Sequence, residues 1–81
     1  MEVNYSKHSL DVIAKREIKK EWIEEVLENP SKIDKINLDE VHFYAKIIQN
    51  DSRCLKVVLN PLKNLIITVY FDRNMRKKGC I

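Results

Sequence analysis

Eighty-one residues make one domain, taken here as residues 1–81 with a short basic tail at 73–81. With 44% apolar residues, one glycine and two prolines, the chain is a folded protein and not a disordered tail. The net charge of +3 is uneven: Arg73, Arg76, Lys77 and Lys78 face no acid in the tail, while the other eleven bases meet twelve acids. A local basic stretch points towards a polyanion partner.

In chain order, Ser6 is a helix N-cap, because its hydroxyl can accept from an unpaired amide of the first turn. Leu10, Ile13 and Ala14 then form one apolar stripe at helical spacing. A second helix is expected from about Lys19 to Glu28. Ile18, Trp22 and Val26 recur every fourth residue beside Ile23 and Leu27, and Asn29-Pro30 ends the pattern. Trp22 reads as core. The outer side is acidic, with Glu21, Glu24, Glu25 and Glu28.

Beyond Pro30 the period changes to two. A weaker strand is expected around Lys32–Ile36, turning near Leu38-Asp39-Glu40. Val41, Phe43, Ala45 and Ile47 then alternate with His42, Tyr44 and Lys46. After the turn Asn50-Asp51-Ser52, inward Leu55, Val57 and Leu59 alternate with outward Cys54, Lys56 and Val58. Asn60-Pro61 opens the next turn. In the last strand Leu65, Ile67, Val69 and Phe71 share one side and Ile66, Thr68 and Tyr70 the other. Short turns between neighbours predict an antiparallel meander. The expected fold is α+β: two N-terminal helices packed on one face of a four-stranded antiparallel sheet.

On the uncovered face His42, Tyr44, Lys46, Lys56, Thr68 and Tyr70 present aromatics and cations, a pattern suited to RNA: lysines meet phosphate and tyrosines stack on splayed bases. The plainer reading is the solvated side of a half-buried sheet. His8 lies off the apolar stripe beside Lys15, placed for acid–base work or simply for solvent, and Lys15-Arg16 also suits a helix C-terminus. Two histidines without cysteine or carboxylate at ligand spacing make no zinc site, and one glycine makes no phosphate loop. No metal or cofactor is expected. Cys54 reads as a small core-edge hydrophobe.

No apolar run reaches the ~20 residues of a membrane span, and the first residues lack the pattern of a secretory leader. Two cysteines are too few for a small secreted scaffold. A reducing cytoplasm is therefore expected.

Several short motifs resemble a small prokaryotic family of unassigned domains: His8-Ser9, Arg16-Glu17-Ile18, Glu24-Glu25-Val26-Leu27-Glu28-Asn29-Pro30, Arg53-Cys54-Leu55-Lys56-Val57-Val58 and Ile67-Thr68-Val69-Tyr70. Their order and spacing cover about Tyr5 to Arg73. That family looks similar to the RelE/ParE-type toxins, including the BrnT branch, within the barnase–EndoU–RelE group. The resemblance implies a RelE-like fold and a metal-independent RNA endonuclease, the toxin half of a toxin–antitoxin pair acting on RNA or ribosome-bound mRNA. On that analogy His8, Arg16, Arg53, Thr68 and Tyr70 form the catalytic site. His8 or Tyr70 would transfer protons, the arginines would hold phosphate, and Thr68 would orient. Lys15, His42, Tyr44, Lys46, Lys56, Arg73, Arg76, Lys77 and Lys78 would bind the strand. Many members carry an arginine where this chain has Val12, and glycine where it has Glu17. These departures support the alternative, a non-catalytic RNA- or protein-binding module of the same fold. An open meander also leaves edge strands through which a homodimer could form.

Overall fold

The computed structural model describes residues 2–74 and Cys80. Strand β1 (Asn4–Tyr5) leads into α1 (Lys7–Arg16) and α2 (Lys20–Glu28), followed by β2 (Lys32–Asn37), β3 (Glu40–Ile47), β4 (Arg53–Asn60) and β5 (Leu65–Phe71). Among the described residues the sheet has five strands in the order β1-β5-β4-β3-β2. β2 to β5 form the expected antiparallel meander, but β1 runs parallel to β5, so the sheet is mixed and not a four-stranded antiparallel one. The added strand is two residues long, too short to show a period. Its pairing comes from backbone groups: the Asn4 amide donates to the Asn64 carbonyl at 2.8 Å and the Ser6 amide to the Ile66 carbonyl at 3.0 Å.

Ser6 caps α1 as expected, its hydroxyl accepting from the Ser9 amide at 3.0 Å. The buried side of α1 is not Leu10–Ile13–Ala14. Ser9, fully buried, lies with Val12 and Ile13 against the core, while Ala14 is exposed and Leu10 is 43% exposed. A serine at the contact lets α1 approach β5 closely. Its hydroxyl is satisfied by donating to the Ser6 carbonyl at 2.8 Å, so burying it leaves no orphaned polar atom.

α2 follows its predicted face: Ile23, Val26 and Leu27 are buried against β3 and β4, and the four glutamates are exposed. Its local signals are mixed: Glu21 stands in the first turn, where the helix dipole favours an acid. Lys19 provides no side-chain cap, and the last turn holds no cation. Burial is what holds it. Ile18, Ile23, Val26 and Leu27 close over Ala45, Ile47, Leu55, Val57, Leu59, Ile66 and Val69 to form the core.

β5 departs from strict alternation. Val58 faces Thr68 and Leu59 faces Ile66, so Ile67 is the extra residue of a β-bulge. The bulge moves Ile66 onto the core side, where it is fully buried, and Leu65 and Ile67 are only half-buried. A single inserted residue thus reverses the side expected for the first part of the strand.

The two cysteines are bonded to each other. Cys54 and Cys80 form a disulfide across 26 positions, with Cα atoms 5.9 Å apart, so Cys54, expected as a small core-edge hydrophobe, is both buried and bonded. Cys80 closes over Cys54 and Tyr44 on the face away from the helices, making a second, smaller cluster. Among the described residues, no helix is long and apolar enough to cross a membrane.

Candidate functional site

The five residues expected to act together fall on two sides of the sheet. Arg53 begins β4 with the parity of Leu55 and Val57, the helix side. Thr68 and Tyr70 lie opposite Val58 and Lys56 on the other face. His8 is exposed near the start of α1, eight residues before Arg16, or about 12 Å along the axis. Arg16 and Arg53 do share one site.

They line one cleft of about 400 Å³ with Glu17, Trp22, Asn50 and Phe71. Each wall has a local cause. α1 ends at Glu17, which adopts the left-handed conformation at φ 54° and ψ 41°. The Ile18 amide returns to the Ile13 carbonyl at 3.1 Å, closing a Schellman-type ending that leaves Arg16 at the rim. Glycine is the residue that adopts that conformation without strain. Arg53 follows a turn in which Asp51 and Ser52 are also left-handed, and its guanidinium lies 4.8 Å from the centre of the Phe71 ring. Phe71 meets Trp22 edge-on at 6.3 Å, and the Lys19 ammonium stands 5.8 Å from the Trp22 ring. Trp22, expected as plain core, is half-buried because it forms this wall.

The Arg53 guanidinium over the Phe71 ring, with Arg16 in the same lining, gives the cleft cationic and aromatic walls. Arginine presents planar donors to phosphate oxygens, and its stacking on Phe71 holds the group in place before any ligand arrives. Among the described residues, Glu17 is the one carboxylate in the lining. Neither His8 nor Tyr70 reaches it, so the cleft lacks the proton-transfer groups assigned to it from the sequence.

The opposite face is less open than expected. Tyr44, Lys56 and Tyr70 form a cross-strand row, with the Lys56 ammonium 5.6 Å from the Tyr44 ring centre and 5.2 Å from that of Tyr70. Tyr44 is only 4% exposed beneath Cys80, so it offers no stacking surface to a base. Burial, more than any other cause, raises the Tyr44 hydroxyl above its ordinary pKa of 10.0, with Lys56 opposing. Burial alone would lower Lys56, but Tyr70 and Tyr44 outweigh it and hold the ammonium above its ordinary 10.5. His42 is engaged by the Glu40 carboxylate at 2.6 Å. Lys46 lies opposite Cys54 at the far end of the strand pair. Lys15 and Arg73 are exposed on α1 and beyond β5, while Arg76, Lys77 and Lys78 lie outside the described residues.

The molecule is therefore a small α+β domain whose cationic, aromatic cleft opens at the end of the sheet where β4 begins and β5 stops. The chain belongs to the family described as Domain of unknown function (DUF4258), whose model matches residues 5–71. No curated protein and no solved structure matches the chain. The matched span contains both arginines of the cleft and stops short of Cys80 and the basic tail.

Proposed function

We propose that the chain is an RNA-binding module that holds a phosphodiester between Arg16 and Arg53. The observation that carries this reading is the shared cleft: two arginines 37 positions apart in sequence, each in a motif of the resembling family, line it together with Trp22 and Phe71. The guanidiniums supply charge and directional donors to phosphate, and the half-buried ring of Trp22 supplies a surface for a base. The endonuclease reading, with its likeness to RelE, ParE and BrnT toxins and its antitoxin partner, draws on the same two arginines for phosphate charge. It needs an acid and a base at the phosphate, and the cleft brings only Glu17.

The test is binding of a labelled single-stranded RNA across a salt series, in EDTA, by the wild-type chain, Arg16→Ala and Arg53→Ala. Each substitution is expected to weaken binding about tenfold and to lower the salt slope by about one. Affinity and slope unchanged in both variants would remove the cleft from RNA recognition. The same reactions are followed for strand scission alongside His8→Ala and Tyr70→Phe. Intact RNA throughout supports the binding module, and scission that those two variants abolish supports the nuclease.

A further inference from the structure

β2 ends the sheet, and among the described residues no strand pairs with its outer edge. The helices lie over β3, β4 and β5, leaving β2 beyond their cover. Ile33, opposite Phe43 on the helix side, is 47% exposed. On the other face Lys32 and Asp34 stand side by side, their charged groups 3.8 Å apart. A bare strand edge with an exposed apolar residue is a template for another strand.

We infer that two copies of this chain pair antiparallel along β2, about a two-fold axis at Ile33, to join their sheets into one. The choice of register follows from symmetry and charge. When identical strands pair antiparallel about a two-fold axis normal to the sheet, one residue must lie opposite its own copy. Centring on Lys32, Asp34 or Lys35 sets like charges face to face. Centring on Ile33 sets isoleucine against isoleucine on the helix side. On the other face it sets Lys32 of each chain opposite Asp34 of the second, so two ion pairs become a closed ring of four charges. Lys35 then meets Ser31. This register uses Ser31, which precedes the strand, and Lys32–Lys35, the part of β2 before the irregularity between Lys35 and Asn37. A short strand pairing buries little area, so the dimer is weak and concentration-dependent.

Sedimentation equilibrium over a wide concentration range, with a charge swap, tests the pairing. The wild-type chain is expected to move from one to two copies as concentration rises. Asp34→Lys alone and Lys32→Asp alone should each weaken association about tenfold, because each places like charges opposite. An equimolar mixture of the two variants should recover the dimer, since every Lys then meets an Asp. Circular dichroism checks that both variants keep the fold, and Ile33→Lys should abolish pairing without a charge partner to rescue it. A wild-type chain that stays monomeric overturns the inference and leaves the edge to a strand from a different protein. A dimer that ignores both charge variants, or variants that do not rescue each other, overturns it equally.

Discussion

The hydroxyl of Ser6 donates to the carbonyl oxygen of Ile67 at 2.9 Å while accepting the Ser9 amide at 3.0 Å. One side chain therefore caps α1 and satisfies the residue that forms the bulge of β5. Ser6→Ala removes both bonds at once. The cap contributes about 1 kcal/mol and the abandoned carbonyl about another, so a loss near 2 kcal/mol is expected in urea denaturation. Ser6→Asn should recover the cap alone. A loss below about 0.5 kcal/mol in Ser6→Ala would mean that water replaces both bonds.

Glu17 joins a backbone requirement to the chemistry of the cleft. At φ 54° a side chain with a Cβ is strained, and Glu17 lines the same cleft as the arginines that are proposed to hold phosphate. Glu17→Gly is expected to raise stability by about 0.5–1 kcal/mol and to tighten RNA binding. Glu17→Gln should tighten binding with no gain in stability. Thermal denaturation and the RNA titration, run on both variants, separate the two effects.

The disulfide should dominate the stability of the second cluster. Closing a loop of 26 positions removes chain entropy from the unfolded state worth about 3–4 kcal/mol. Reduction with a dithiol, or Cys80→Ser, is expected to lower the denaturation free energy by about that amount. Cys54→Ser should match it, and the double variant should add nothing further. A loss in Cys54→Ser well beyond that in Cys80→Ser would show that packing of Cys54 matters more than the bond.

Alkaline pH should weaken the fold through Tyr44 and Lys56. Both hold their protons more tightly folded than unfolded, by burial at Tyr44 and, at Lys56, by contact with the two tyrosines against the opposing effect of burial. Their contribution is present in full below the ordinary values of 10.0 and 10.5, and is lost as pH rises through the higher folded values. Denaturation midpoints should stay level up to about pH 9.5 and fall above it. Tyr44→Phe removes the tyrosine's own share and one of the contacts that raise Lys56, so it should make that fall shallower; a fall of unchanged steepness would exclude the tyrosine from it.

Local pattern was enough for both helices, for the four longer strands and for the Ser6 cap, because each rests on a period or a cap that neighbouring residues create. It misread the faces of α1 and β5. Leu10 and Ala14 look more apolar than Ser9, yet a small hydroxyl side chain fits where helix and sheet come closest, and its hydrogen bond stays within the first turn. The reversal in β5 comes from one bulged residue, which alternation cannot signal in a run as uniformly apolar as Leu65–Phe71.

The candidate site divides along the same line. Arg16 and Arg53 stood out in the sequence as motif residues, and Glu17 as the position where a glycine was missing. Only the fold could bring them to one cleft and leave Thr68 and Tyr70 on the opposite face, because the sheet separates residues by parity regardless of their kinship in sequence. The part played by Trp22 was hidden for a similar reason: its helical spacing is that of a core residue, and its half-buried state depends on where β5 ends. Cys54 and Cys80 carried no sign of pairing. Their bond exists because Cys80 lies over Cys54 and Tyr44 on the face that the helices leave uncovered, a placement that only the tertiary structure decides.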